Sequence, residues 1–285
     1  MKSLLSITFT ALIFLRSPIC GEVIPEVTLR VMSFNIRLGV AKDGTNSWEL
    51  RKKLVVDTIH QFEPDLLGLQ EVFPMQKEYL KDNLNGYNYY GRSRLVNPDE
   101  GEACSVMYKA DRFKVISEKT FWLSEEQFEP GSKSWDSSLP RIANIIGLED
   151  KNARGEKFFF INTHFDHRGK RAREESAKII AQRVLGLENS NRVIVVGDFN
   201  SGEGSKPYKT LLSAGLLDTF RVNNPLKTDR ESTLSGWDGR LSGNRIDWVL
   251  CGSKLNVLSA SINRSHNEGR YPSDHYPVTS VLKYK

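Results

Sequence analysis

The chain has 285 residues, which is enough for one large domain or two small ones with a buried core. Its 39% apolar and 26% charged content is typical of a soluble globular protein. The 40 basic and 35 acidic residues leave a net charge of +5, and so small and scattered an excess does not imply a nucleic-acid partner.

The N-terminus has the pattern of a secretory signal. Lys2 is followed by an apolar stretch at residues 4–15 and then by small residues up to Gly21. The stretch is too short to span a membrane, so we predict a signal peptide over residues 1–21, cleaved near Cys20 or Gly21. We therefore expect a secreted or periplasmic protein. Lipid attachment at Cys20 and an uncleaved N-terminal anchor are the alternatives.

Residues 27–108 alternate between predicted strands and helices. Runs of apolar and β-branched residues predict strands over residues 27–35, 66–70, 87–92 and 103–108. Apolar residues recur every three or four positions over residues 48–62, which predicts a helix, and a second helix is predicted over 75–84. Pro64 ends the first helix, and the short strand after it delivers Glu71.

The second half continues the alternation. Residues 113–123 have a mixed pattern, and residues 124–139 predict a long loop. The segments 141–149 and 157–163 predict a hairpin around residues 152–155, followed by an amphipathic helix over 171–188. A buried strand at 192–197 and a helix at 208–214 precede three closing strands, at 246–251, 257–264 and 278–283. Strands and helices are not segregated, which predicts one α/β domain.

Two cysteines, Cys104 and Cys251, follow the predicted signal, and both lie in apolar, strand-like contexts. We predict two buried thiols, with a disulfide in an oxidising compartment as the alternative. The sequence has no Cys-x-x-Cys pair and no histidine-rich cluster, which argues against a zinc site.

Five separated segments carry acids, amides or histidines in a similar context. They are residues 69–72, 162–167, 195–200, 245–250 and 273–277, and a β-prone apolar run leads into or flanks all but the last. Hard carboxylate oxygens bind Mg²⁺ or Mn²⁺, and a histidine moves a proton near neutral pH. Such groups at strand ends favour a metal-assisted hydrolase.

The order of these residues resembles the endonuclease/exonuclease/phosphatase superfamily, which includes DNases, inositol-polyphosphate 5-phosphatases, sphingomyelinases and deadenylases. The resemblance runs from about Leu29 to the C-terminus and is carried by Asn35, Glu71, His164, Asp198-x-Asn200, Asp247 and Asp274-His275. It implies an α/β fold of two stacked mixed β-sheets flanked by helices, a four-layer sandwich with the site at one edge. The catalytic domain would then span residues 27–285.

The resemblance also implies roles for these residues. Asn35, Glu71 and Asp274 would contact one Mg²⁺ or Mn²⁺, with Asp274 in direct or outer contact. Asp198 and His275 would activate water, with Asp247 orienting His275. His164 would hydrogen-bond the scissile phosphate, and Asn200 would hold a phosphoryl oxygen or the metal ion. Considered singly, Glu71 could be an exposed strand-end acid, Asp198 a turn-capping acid, and Asp274-His275 a loop hydrogen-bond pair.

Three further residues are candidates for substrate contact. Arg141 could bind phosphate or lie on a strand surface, and Asp166 could contact substrate or start the next helix. Trp237 could form one wall of the site or a plain hydrophobic lid. Tryptophans lie in or beside the loops 43–48, 124–139 and 232–240, which could together enclose a pocket.

The sequence therefore predicts an exported, divalent-metal-dependent phosphoesterase that acts as a monomer without a stable protein partner. A phosphorylated small molecule, sugar or lipid head group is favoured as substrate, because a nuclease would need a continuous basic groove. A secreted DNA or RNA nuclease is the alternative. A non-catalytic binding domain is a more remote alternative, because such a domain should have lost some motif residues and every one is present.

Overall fold

The computed structural model describes residues 27–285, so the predicted signal peptide and Cys20 lie outside the described residues. The strands are β1 (Thr28–Asn35), β2 (Leu66–Val72), β3 (Tyr87–Tyr90), β4 (Ala103–Lys109), β5 (Phe113–Trp122), β6 (Ile142–Asp150), β7 (Glu156–His164), β8 (Val193–Asp198), β9 (Leu216–Asp218), β10 (Asp247–Gly252), β11 (Leu255–Ile262) and β12 (Val278–Tyr284). The α-helices are α1 (Trp48–Phe62), α2 (Pro74–Asn83), α3 (Lys170–Leu185), α4 (Lys206–Ser213) and α5 (Thr219–Asn223).

The strands form two six-stranded sheets. The first has the order β11-β12-β1-β2-β4-β3 and the second β5-β6-β7-β8-β10-β9. In each sheet one central pair, β1–β2 or β7–β8, is parallel, and the other neighbours are antiparallel. Both sheets are therefore mixed.

Three apolar cores separate four layers. One core joins the inner faces of the two sheets, with Val31 and Val106 packed in the same cluster as Phe160 and Val196. A second lies between the first sheet and α1, and a third between the second sheet and α3 and α4. The layers are thus helix, sheet, sheet and helix, and the predicted four-layer sandwich is confirmed.

Strand β8 shows how this packing positions polar groups. All six residues, from Val193 to Asp198, are buried between neighbouring strands and the two flanking layers. Its β-branched run suits a strand covered on both faces. Gly197 is required there, because a Cβ atom would lie 2.3 Å from the carbonyl oxygen of Thr163 on β7. The apolar run therefore carries Asp198 to the sheet edge.

Most predicted elements occur within a few residues of their predicted bounds. The exceptions are β5, whose polar residues face solvent along an edge strand and gave a mixed pattern, and the short β9 and α5, which the sequence did not predict.

Cys104 and Cys251 are both buried and unpaired, and burial raises the pKa of each thiol to about 12. Within residues 27–285, no helix has the length and apolar character needed to cross a bilayer.

Candidate active site

The sheet topology brings the motif residues to one edge of the sandwich. In the second sheet, Asp198 at the end of β8 lies between His164 on β7 and Asp247 on β10. In the first sheet, β1 ends at Asn35 beside the end of β2, and β12 begins next to β1 just after the Asp274-His275 segment. Parallel neighbouring strands end at the same edge of a sheet, and an antiparallel neighbour begins at that edge. Six segments that are separated in the sequence therefore meet at this edge of the sandwich.

Asp198 is the centre of this cluster. Its Oδ2 accepts a hydrogen bond from Asn35 Nδ2 across the two sheets at 3.0 Å and lies 3.3 Å from His164 Nε2. Its Oδ1 accepts from the backbone N–H of Asn200 at 2.9 Å. Burial alone would raise the pKa of Asp198, but the charges of His164 and His275 and these hydrogen bonds hold it below its usual range. Asp198 is therefore a buried carboxylate kept ionised.

Asn200 and His164 form a pair of potential hydrogen-bond donors beside Asp198. The amide nitrogen of Asn200 lies 3.2 Å from His164 Nε2 and donates to the carbonyl of Phe165 at 3.1 Å. Asn200 has a positive φ of 47°, a conformation that asparagine tolerates better than most residues. This turn directs the Asn200 side chain back towards His164.

Asp247 orients His275. The two oxygens of Asp247 lie 3.0 and 3.2 Å from His275 Nδ1, while Nε2 of the same ring is 3.8 Å from Asp198 Oδ2. Burial alone would lower the pKa of His275, but the charges of Asp247, Asp198 and Asp274 hold it well above its ordinary value. Burial, together with the charge of Asp198, raises the pKa of Asp247 to about 6 despite His275. One proton is thus held strongly between the two side chains.

Glu71 reaches the site through an irregularity in β2. The β2–β4 register shifts between Leu69 and Val72, and Glu71 has a positive φ of 63°. A bulge with a left-handed glutamate is strained, and such strain is typical of functional sites. Glu71 Oε1 accepts from Asn35 Nδ2 at 3.1 Å, and Oε2 accepts from the backbone N–H of Leu38 at 2.8 Å. Burial opposes the charged form, but His164 and these donors lower the pKa of Glu71.

Asp274 lies in the same pocket of negative charge. Burial and the nearby charge of Glu71 raise the pKa of Asp274, although His275 and Arg37 oppose this. Arg37 Nε is 3.8 Å from Asp274 Oδ2, but its guanidinium is committed to Asp43 at 3.0 Å. The negative charges of Glu71 and Asp274 are only partly balanced by nearby positive groups. Together with the amide oxygen of Asn35, these two carboxylates form a set of oxygen ligands that suits a hard divalent cation.

A second group of ligand atoms also clusters closely. One ligand atom each of Asp198, Asp247 and His275 lie within 4.8 Å of one another. In this group His275 Nδ1 already faces Asp247, and Asp198 already accepts from Asn35. These hydrogen bonds suit a proton relay. Glu71, Asp274 and Asn35 also accept hydrogen bonds, but the ligand atoms that they offer are all oxygens, which a hard divalent cation prefers.

Arg51 on α1 holds two of the loops that carry the site, and the sequence analysis missed it. Its buried guanidinium donates to the carbonyls of Ile36 at 2.6 Å, Pro272 at 3.0 Å and Arg37 at 2.9 Å, and also to Asn46 at 2.9 Å. Burial lowers its pKa to about 10. The sequence does contain an indication of this role, because Arg51 is a charged residue on the apolar face of α1, together with Trp48 and Val55.

A pair of amides beneath the site was also missed. Asn162 on β7 donates to the carbonyls of Leu69 and Ser105 in the opposite sheet, at 2.8 and 2.7 Å, and accepts from Gln70 Nε2 at 2.7 Å. These bonds fix the ends of β2 and β7 relative to each other. A buried amide in the otherwise apolar run before His164 is the feature that could have indicated this bridge.

Asp166 is hydrogen-bonded to two loop segments beside the cluster. It is fully buried, and its oxygens accept from backbone N–H groups of Ser138, Leu139, Arg168 and Gly169 and from the hydroxyl of Ser138. Burial alone would raise the pKa of Asp166, but these donors hold it below its usual range. These hydrogen bonds tie the 124–139 loop to the start of α3, which fits the second of the two roles expected for Asp166; its contact with substrate stays a prediction.

The tryptophans differ in position. Trp237 is half-buried, has a φ of 68°, and lies with its ring centroid 5.4 Å from the Arg51 guanidinium. Its loop is bonded to the site, because Ser235 and Gly236 donate to the carbonyl of Asp274. Trp48 is buried in the core with α1 and the first sheet, and Trp135 packs against the α3 core. The Trp237 loop is thus hydrogen-bonded directly to Asp274.

A family model described as "Endonuclease/Exonuclease/phosphatase family" matches residues 32–275. The chain belongs to the endonuclease/exonuclease/phosphatase family. The matched segment contains every residue of the cluster, so the resemblance seen in the sequence is confirmed. Family members hydrolyse phosphoester bonds, and the prediction that the chain is a phosphoric ester hydrolase is confirmed with it.

Individual relatives extend this comparison. A solved family protein from Bacteroides thetaiotaomicron is 30% identical, with a TM-score of 0.82, and the match covers 91% of this chain and 99% of that one. A mannosyl-6-phosphatase from the same species is 30% identical, with a TM-score of 0.80 and coverage of 90% and 100%. Nocturnin from Drosophila melanogaster is 25% identical over 241 residues, which are 76% of this chain and only 36% of Nocturnin.

Proposed function

We propose that this family member is an exported, divalent-metal-dependent phosphoesterase that hydrolyses a phosphorylated small molecule, with a sugar phosphate as the favoured class. The observation that carries the proposal is the meeting of Glu71, Asp198 and the Asp247–His275 pair at one sheet edge. The 30% identity to a mannosyl-6-phosphatase over 90% of the chain supports the substrate class.

Asp198 and His275 would activate the attacking water. When His275 is neutral and donates its Nδ1–H in a hydrogen bond to Asp247, its Nε2 carries a free lone pair and can act as a base on the side of Asp198. A water between these two groups would donate one proton to His275 and be oriented by the ionised Asp198. No covalent intermediate on the protein is needed.

Asn200 and His164 would bind the phosphoryl oxygens, because their side-chain nitrogens lie together beside Asp198. Glu71, Asn35 and Asp274 would hold Mg²⁺ or Mn²⁺. That ion would neutralise phosphoryl charge and stabilise the leaving oxygen. Trp237, held over Arg51, would form part of the wall against which the rest of the substrate packs.

Export rests on the sequence of residues 1–21, with lipid attachment at Cys20 as the alternative. The intact mass of protein recovered from the native exporting cell tests it. A chain beginning near Glu22 supports cleavage, a lipid-modified Cys20 supports the alternative, and retention of Met1 in all of the protein contradicts both.

A substrate panel tests the activity. Mannose 6-phosphate, glucose 6-phosphate, an inositol phosphate, sphingomyelin, bis(p-nitrophenyl) phosphate, plasmid DNA and RNA would each be incubated with Mg²⁺ or Mn²⁺ and with EDTA. We expect EDTA-sensitive release of phosphate from a sugar phosphate, abolished in His275→Ala.

Salt dependence separates the small-molecule and nuclease hypotheses. Hydrolysis of a small phosphate should fall only a few-fold between about 50 and 200 mM salt, because few counterions are released. Efficient nucleic-acid cleavage that collapses steeply over this range, without sugar-phosphate hydrolysis, would overturn the proposed substrate class.

A further inference from the structure

A narrow cavity opens beside His164. Its walls combine two arginines with small or apolar groups, and its lining residues are Arg94, Glu102, Ala103, Cys104, Arg141, Ile142 and His164. It therefore adjoins the phosphoryl-binding side of the catalytic cluster, where His164 meets Asn200.

Arg141 in this cavity has an unused hydrogen-bonding group. The residue is only 4% exposed, and its Nη1 is buried without a hydrogen-bond partner. Its Nη2 donates to His167 Nδ1 at 3.0 Å, and its Nε is 3.5 Å from Asp166 Oδ2. Asp166 is thus a buried counter-ion of the guanidinium, but it leaves Nη1 without an acceptor. A buried, unpaired N–H of this kind calls for an acceptor.

Arg94 adds no net charge to the cavity, because the carboxylate of Glu102 neutralises it, and Arg141 supplies the open donor. The Arg94 guanidinium forms a bidentate pair with Glu102 at 2.7 and 2.8 Å, and that pairing holds it in the cavity wall. The acceptor must be small, because the cavity has a volume of only about 10 Å³, which is close to the space for one water-sized group. An oxygen atom fits this description, whereas a carbon substituent does not.

We propose that this cavity receives the third terminal oxygen of a phosphate monoester, with Arg141 Nη1 as donor, and that it selects monoesters over diesters. The inference rests on the proposed function. A monoester has three terminal oxygens, so one remains for the cavity when others face His164, Asn200 and the metal-binding side. In a diester the third position is an ester oxygen carrying an alkyl group, which the cavity excludes. Arg141 is then a specificity-determining residue.

The test compares two substrates and one product in Arg141→Met and Arg141→Lys. The readouts are kcat/KM for p-nitrophenyl phosphate and for bis(p-nitrophenyl) phosphate, and the dissociation constant of inorganic phosphate from calorimetry. Because a hydrogen bond to a charged group is at stake, we expect Arg141→Met to lose about 10- to 100-fold on the monoester and in phosphate affinity. The loss on the diester should stay within about 3-fold.

Lys178→Met is the matched control, since it removes the same charge from an exposed ion pair with Glu175 and should leave all three values unchanged. Equal losses on both substrates, or unchanged phosphate affinity in a folded Arg141→Met, would overturn the proposal and leave an ordered water as the partner of Nη1. Arg141→Lys keeps the positive charge and serves as a second variant if Arg141→Met does not fold. It should retain part of the phosphate affinity. If the wild type hydrolyses neither substrate, the proposed function fails, and phosphate binding still tests the cavity.

Discussion

Replacing Arg51 with methionine is expected to lower both the turnover and the stability of the enzyme. The guanidinium of Arg51 connects α1 to the backbone on either side of the site, at Ile36 and Arg37 after β1 and at Pro272 before Asp274. Methionine has an unbranched apolar side chain that matches the aliphatic part of arginine, and it has no hydrogen-bond donor. The substitution therefore removes the bonds while largely filling the space.

The magnitude follows from which carbonyls remain buried. The bonds to Ile36 and Pro272 are buried, whereas those to Asn46 and Arg37 are partly exposed and can be replaced by water. Two buried acceptors without donors cost about 2–6 kcal/mol. Removing a buried cation that has no carboxylate partner offsets part of this, so we expect a net loss of about 2–4 kcal/mol. The melting temperature should fall by about 4–8 °C.

Turnover should fall by about 10- to 100-fold, because a displacement of catalytic groups by about 1 Å has this effect. The assay is steady-state kinetics well below the melting temperature, combined with thermal denaturation. Arg30→Met is the matched control. Like Arg51, Arg30 donates to backbone carbonyls and lies over an aromatic ring, that of Phe62, but it is near the start of β1 and away from the site. The Arg30→Met variant should therefore lose stability without losing turnover. Native turnover in a destabilised Arg51→Met would refute the positioning role.

Glu71→Gln should raise the Mg²⁺ or Mn²⁺ concentration for half-maximal activity by about 10-fold or more, and an unchanged metal titration would contradict its role. Asp247→Asn should lower turnover by about 10²- to 10⁴-fold. It should also move the acidic limb of the pH–rate profile to lower pH, because it removes a charge that raises the pKa of His275; a limb that stays in place would count against the pair. Asp166→Asn should lower the free energy of unfolding by about 1.5–3 kcal/mol at pH 7 without changing metal dependence. Since the folded pKa of Asp166 is depressed, this difference should be present above about pH 4 and shrink as the pH falls further, which urea unfolding at pH 7 and pH 3 would measure.

Long elements with a clear pattern could be predicted from the sequence. Helix α1 has the predicted bounds, because its apolar spacing and the following Pro64 are both local signals. Strand β8 was recognisable from its continuous apolar run. Strand β5 was not, because its pairing with β6 outweighs a polar sequence that faces solvent along most of its length.

Local sequence was enough to predict which chemical groups this protein has and at which strand ends they occur, since strand periodicity and motif order are properties of neighbouring residues. It did not determine which of those groups share a hydrogen bond. Asp166 and Asp198 both follow apolar strands, yet one is surrounded by loop N–H groups and the other faces His164. Only the stacking of the two sheets decided this, because the distance between side chains on different strands depends on register and on packing across the core. Arg51 shows the same dependence: its four carbonyl partners include one more than 200 positions away, and only tertiary structure brings them together.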